Sequence, residues 1–122
     1  MRSTFTEYQE TQQAREDIAA AVLKHTHSLC SALEQNFKQR HPNNDPYTFS
    51  IETGRKYHKI LMETESQSQS VHAFVDKKTG EVYKAASYKS PAKGVRFDLR
   101  IIEQREWLFD NADWAGSYLY IR

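Results

Sequence analysis

Apolar side chains recur through the first third of the chain at a helical spacing. Ala14, Ile18, Val22, Leu29, Leu33 and Phe37 follow one another four or seven residues apart, which aligns them on one face of a 3.6-residue repeat. Neither Gly nor Pro interrupts the run from about Phe5 to Arg40, so the pattern predicts one long helix or two consecutive ones. A break would fall at Lys24-His25-Thr26-His27-Ser28, a patch poor in strong helix formers. The segment HPNNDP, residues 41 to 46, ends the helical run, because Pro42 and Pro46 cannot continue the ladder and Asn-Asn-Asp is turn chemistry.

Beyond this point the period changes to two. Tyr47, Phe49 and Ile51 alternate with Thr48, Ser50 and Glu52, Gly54-Arg55 makes a turn, and Tyr57 to Met62 returns as the second arm of a hairpin. SQSQS is a polar turn. In VHAFVD, the alternation places Val71, Ala73 and Val75 on one face and His72, Phe74 and Asp76 on the other. KKTG reverses the chain, with Gly80 where a positive φ is tolerated, and EVYKAAS runs back antiparallel. Ser90-Pro91 reads as an N-cap with Pro at the first helical position, opening a short helical turn that Gly94 closes. Ile101, Ile102, Leu108, Phe109 and Ala112 suit a helix between Leu99 and Ala112, and SYLYIR reads as a closing strand. The expected fold class is α+β: an N-terminal helix or helices packed with an antiparallel sheet of about five strands, and a C-terminal helix before the last strand.

Composition narrows the function without naming it. The 122 residues carry 17 Lys and Arg against 16 Asp and Glu, a formal net charge of +1. That length fits a single domain with its own core. Residues 1–41 are expected to form its helical, oligomer-forming part and 46–122 an antiparallel sheet with a ligand pocket. A near-neutral chain supplies no global field for coating a polyanion, so anion binding must be local. The lone Cys30 cannot form an internal disulfide and suits a reducing cytosol, where its plainest role is that of a small buried hydrophobe. No apolar run reaches the roughly 18 to 20 residues that span a bilayer, and MRSTFTEYQETQQ lacks a signal-peptide core. A soluble intracellular protein is the expectation.

Standard catalytic motifs are missing: there is no phosphate-binding P-loop, dinucleotide glycine fingerprint, nucleophile elbow or paired-cysteine motif. His25 and His27 have the wrong spacing for two ligands on one helical face. His58 and His72, on neighbouring expected strands, could meet across the sheet with Glu63, although surface strand positions explain them as well. The expectation is therefore no enzyme, no metal and no cofactor.

One stretch stands apart. VYKAASYKSPAKGVRF, residues 82 to 97, sets Lys84, Lys89, Lys93 and Arg96 among small and aromatic residues without a carboxylate. A loop entering a short helix would present the N–H groups of Ala92, Lys93 and Gly94 to an anion. Phe74, Tyr83, Tyr88 and Phe97 would offer ring faces, each stacked base being worth about 1–3 kcal/mol. The alternative is a solvated lysine face with tyrosines packing the core. Asp113-Trp114-Ala115-Gly116 reads as a structural corner, with the indole packed on the sheet, or else as a ligand contact; the tyrosines after it could line a dimer seam.

The segments SVHAFVDKKTGEVYKAASYKSPAKGVRFDLR and NADWAGSYLYIR together resemble a widespread group of small phage-encoded proteins and, within it, the phage Thoeris anti-defence family. The resemblance covers the C-terminal half of the chain and leaves the N-terminal helix unmatched. It implies a protein that binds and sequesters nucleotide immune signals without degrading them, in the cytoplasm of the infected bacterial host. In that family cyclic ADP-ribose isomers sit at a dimer interface, and some members form hexamers, as trimers of dimers, that also hold cyclic di- or trinucleotides. On this expectation Phe74 or Tyr88 stacks on the purine, and Arg96 and Arg100 grip phosphates. Lys84 and Lys93 assist, Ser87 to Gly94 forms a lid, and Arg55 comes from a neighbouring subunit. Two other classes remain open on the sequence. A nucleic-acid-binding module is disfavoured by Glu103, Glu106, Asp110 and Asp113. A phage protein could instead bind a host protein through the helix. A stripe of this length exceeds what one small sheet covers, so part of it is expected to meet another subunit.

Overall fold

The computed structural model describes residues 4–44, 47–64 and 68–120. Asp45 and Pro46, Glu65, Ser66 and Gln67 at the polar turn, and Ile121 and Arg122 of the expected last strand lie outside the described residues, as do residues 1–3.

Helix α1 runs unbroken over Thr4–Arg40, about 55 Å at 1.5 Å per residue. The patch of weak helix formers does not interrupt it, because the helix itself satisfies the hydroxyls there. Thr26 Oγ1 donates to the Val22 carbonyl at 2.7 Å and Ser28 Oγ to the Lys24 carbonyl at 3.2 Å, the back-bonding by which Ser and Thr are accommodated within a helix. Thr26 is thereby buried without an orphan donor. Val22, Leu29, Leu33 and Phe37 are buried as their spacing predicts, whereas Ala14 and its neighbours from 11 to 17 are exposed.

Five strands follow in a simple antiparallel meander: β1 Thr48–Thr53, β2 Tyr57–Glu63, β3 Gln69–Asp76, β4 Glu81–Lys84 and β5 Phe97–Asp98. Helix α2, Ile102–Asn111, and a 3-10 helix, Ser117–Tyr120, complete the described chain. The fold is α+β. One face of the sheet, with Phe49, Ile60, Ala73, Val75 and Val82, packs on Val22, Leu29 and Leu33 of α1, and Leu99, Leu108, Ala112, Tyr118 and Leu119 close that core. At the edge, the Phe49 N–H donates to Glu34 Oε2 at 2.8 Å, so a carboxylate from α1 covers a donor that an edge strand would leave open.

The β3–β4 turn is as expected. Asp76 Oδ1 accepts from the N–H groups of Lys78 and Thr79 at 2.8 and 3.1 Å, and Gly80 takes φ +79°.

Three expectations are corrected. Ser90-Pro91 starts no helix: the Ser90 carbonyl accepts from the Ala86 and Ser87 N–H groups, Pro91 bridges Ala85, and the Ala92 N–H donates to the Lys84 carbonyl at 2.7 Å. The backbone there is used for pairing beside β4, so the N–H of Ala92 is not available to an anion. SYLY forms a 3-10 helix instead of a strand, because Asp113 captures its start. Ser117 Oγ donates to Asp113 Oδ2 at 2.6 Å, Tyr118 N to Oδ1 at 3.4 Å, and Gly116 turns at φ +82°. Finally, β3 does not alternate throughout. Ile60 pairs with Ala73 but Leu61 pairs with Val71, which makes His72 the extra residue of a β-bulge. His72 therefore joins Ala73 and Val75 on the helix side, and Val71 joins Leu61 on the other.

Candidate functional site

The bulge borders a cavity of about 310 Å³ between the helix-side end of the sheet and the C-terminal segment, with Met62, Ser70, His72, Lys84, Trp114 and Tyr120 on its wall. Each comes from a different local cause. Lys84 pairs with Ala73 and so shares the helix-side face. Met62 and Ser70 face one another across β2 and β3. Trp114 is placed by helix α1, whose Asn36 Oδ1 accepts the Trp114 N–H at 3.1 Å. Its indole sits edge-on to Phe37, His41 and Tyr47, with centroids 5.2, 5.3 and 5.6 Å away. The structural corner expected at this tryptophan is thus built on the end of α1, not on the sheet, and the ring also reaches the cavity.

Among the described residues the cavity wall carries one cation, Lys84, and three ring side chains, those of His72, Trp114 and Tyr120. Lys84 Nζ lies 4.6 Å from the centroid of the Tyr120 ring, which is 67% exposed and marks the mouth. Such a cation–π contact is worth about 0.5–1 kcal/mol at an exposed site, little enough for an anionic ligand with a flat ring to displace. His72 is fixed from behind. Its Nε2 lies 2.7 Å from the Tyr118 hydroxyl, and Phe49 meets the ring edge to face at 5.4 Å. Burial pushes its pKa down to about 4 despite the nearby Asp113 carboxylate, which raises it, so the ring is neutral at physiological pH. Burial likewise raises the Tyr118 phenol well above its usual value, with Asp113 adding to the effect.

The residues expected to form a site from sequence are divided among several places. Phe74, Ser87 and Tyr88 belong to the outer face and its overlying loop. Phe74 pairs with Lys59 and Tyr83, meets Tyr57 edge-on at 5.7 Å and is only 2% exposed, so neither face of its ring is open to a base. Tyr88 is 47% exposed, with Lys59 Nζ 4.3 Å from its centroid. Ser87 holds its own loop, its Oγ lying 3.0 Å from Ser90 Oγ. Arg96 is spent on the backbone: Nε donates to the Leu119 carbonyl at 2.8 Å, and Nη1 to those of Gly94 and Lys93 at 2.7 and 3.2 Å. Lys93 is exposed beside it. Arg55 and Arg100 lie at the opposite end of the sheet, by the β1–β2 and β3–β4 turns. Only Lys84 of the expected set lines the cavity.

Sequence reasoning missed His72 and Tyr120 as cavity residues. Nothing local announces the bulge, since β3 contains no glycine, and Tyr120 was read as strand. His58, the other strand histidine, is occupied by Thr53, with Oγ1 to Nδ1 at 2.9 Å. It does not meet His72, and no group of three or more His, Cys, Asp or Glu among the described residues could hold a metal ion. No helix among the described residues is long and apolar enough to cross a membrane.

No curated protein and no solved structure matches the chain. Residues 5–121 match a family of unknown function (DUF7717), and across that span the chain belongs to it.

Proposed function

We propose that the chain binds a small nucleotide in the helix-side cavity and holds it without altering it. The observation that carries this reading is the placement of Lys84 Nζ 4.6 Å over the Tyr120 ring on the cavity wall. A phosphate draws the ammonium away as a charge-assisted partner, and the ring it leaves becomes a stacking face for the base. A volume of about 310 Å³ is at the small end of ligand pockets. It suits a nucleoside and its phosphate, and the mouth at Tyr120 leaves room for a larger molecule to extend outward.

Retention rather than turnover is supported by the lining. Among the described residues it contains no carboxylate to activate water, and His72, with a pKa near 4, is a weak base at neutral pH. Together with the resemblance of its C-terminal half to Thoeris anti-defence proteins, this gives the specific reading: sequestration of cyclic ADP-ribose isomers, and of cyclic di- or trinucleotides where the assembly provides further sites, in the cytoplasm of a phage-infected bacterium. Assembly into a homodimer or hexamer is carried by the same resemblance alone, because the segment of α1 from residue 11 to 17, which extends past the core, is exposed and mostly polar.

The test is direct. The protein is incubated with a cyclic ADP-ribose isomer, separated by filtration, and heated to release what it holds. The expected result is depletion of the free nucleotide and its intact recovery after heating. A degraded nucleotide, or no depletion, overturns the reading for that molecule.

A further inference from the structure

We propose that His72 is the specificity-determining donor of this cavity, presenting Nδ1–H to an acceptor atom on the base of a bound nucleotide. The inference rests on the cavity being the nucleotide site and adds which atom reads the ligand.

The proton's position follows from Tyr118. That phenol is buried, and its hydroxyl must donate to something or lose a hydrogen bond in the core. Among the described residues its one partner is His72 Nε2, at 2.7 Å. The hydroxyl therefore donates and Nε2 accepts, which leaves the proton of the neutral imidazole on Nδ1. Nδ1 itself has no hydrogen-bond partner among the described residues, yet it is not a sealed, unsatisfied atom. His72 lines the cavity, and so does Gly116, which lies beside the Cε1–Nδ1 edge, so that edge is the one on the cavity side.

Two backbone features position that edge. The bulge turns the ring toward the helix side, out of the alternation that would have placed it on the outer face. Gly116, with φ +82°, then passes beside the Cε1–Nδ1 edge. A Cβ there would lie 3.5 Å from Cε1 and 3.9 Å from Nδ1, at ordinary contact distance, so it is the positive φ that requires glycine at this place. A donor held on one side by a phenol and faced on the other by a glycine is placed to hydrogen-bond a ligand, with Lys84 left for the phosphate. The acceptors that suit it on a purine are its ring nitrogens and carbonyl oxygens.

The substitutions that separate this role from a structural one follow from side-chain geometry. Gln carries its terminal amide where Nε2 sits, so His72→Gln keeps the contact with Tyr118 and removes the cavity-facing donor. Asn carries its amide where Nδ1 sits, so His72→Asn does the reverse. With cyclic ADP-ribose as probe and calorimetry on the full chain, His72→Gln is expected to weaken binding about tenfold, the worth of one well-placed hydrogen bond, with little loss of thermal stability. His72→Asn is expected to bind within about threefold of the unsubstituted protein but to unfold more easily. Nitrogen NMR of the unsubstituted protein, labelled at histidine, provides a readout that does not depend on the variants folding. It should show a protonated Nδ1 and an unprotonated Nε2 at His72, and a change in the Nδ1 signal on adding the probe. The opposite tautomer, or undiminished binding by His72→Gln while Lys84→Ala binds weakly, overturns the role of His72 and leaves the nucleotide reading standing. No binding by the unsubstituted protein removes both.

Discussion

Arg96 and Leu119 are joined by a 2.8 Å hydrogen bond from the guanidinium Nε to the backbone carbonyl, while Nη1 of the same arginine holds the carbonyls of Gly94 and Lys93. One side chain thus ties the loop after β4 to the 3-10 helix that closes the core. Arg96→Ala is expected to cost about 1–3 kcal/mol, since it strips donors from three carbonyls, and to lower the melting temperature by about 5–15 °C. Arg96→Lys recovers part of this, because a lysine offers a point charge and no planar fork. Melting curves check it. Unchanged stability with lost nucleotide binding would instead make Arg96 a phosphate contact.

Lys84→Ala is expected to weaken nucleotide binding about 10- to 100-fold, the range for a hydrogen bond to a charged group, with stability near that of the unsubstituted chain because its ammonium lies over an exposed ring. Tyr120→Ala should weaken binding less, through the lost stack. Binding should also depend only weakly on salt. A log–log slope of about −1 to −2 is expected for one or two phosphate charges, against roughly −6 or steeper for a protein tracking a polymer. A steep slope would favour a nucleic-acid-binding module.

The fold was legible where one rule dominated. The α1 stripe, the hairpin at Gly54 and the Asp76–Gly80 turn each follow from periodicity or turn chemistry within a few residues. The errors arose where hydrogen bonds to neighbours three to eight residues away, which no periodicity announces, decided the outcome. Tyr118 and Leu119 are adjacent yet both buried, because Asp113 and Gly116 wind the segment into a 3-10 turn. Ser90-Pro91 has the chemistry of a helix start, but the exposed edge of β4 offers its neighbours better hydrogen-bond partners. The site was legible as chemistry and not as place. Lysine and aromatic residues do meet over a cavity, at Lys84 and Tyr120. Arg96, the residue most suited by type to hold phosphate, is consumed by carbonyls that the sequence does not reveal.

Cys30 is the one cysteine in the sequence and lies in the core, 5% exposed. Burial, with the Glu34 carboxylate adding to it, raises the thiol pKa to about 12. A thiolate is the reactive species, so the native protein is expected to leave a disulfide-exchange reagent unreacted at pH 8, and denaturant to release one equivalent. Rapid labelling of the native protein would show that α1 separates readily from the sheet.

His72 makes the stability of the chain depend on pH in a definable window. Its folded-state pKa is about 4, against 6.5 for the unexchanged side chain in an unfolded chain. Between those values the unfolded state binds a proton that the folded state refuses, so falling pH favours unfolding. The stabilisation from this residue is complete above about pH 6.5, declines as pH drops toward 4, and changes no further below that. The full difference corresponds to a ceiling of about 3 kcal/mol. Burial lowers His25 and His58 in the same direction, so the whole chain should lose stability over this range. Urea unfolding at pH 7.5 and 4.5 measures the total, and the same pair of measurements on His72→Gln isolates its share. The variant is expected to lose markedly less stability on acidification than the unsubstituted protein. Equal losses in the two would mean that His72 accepts a proton in the folded state as readily as in the unfolded one, and that the imidazole behind the cavity is not held neutral.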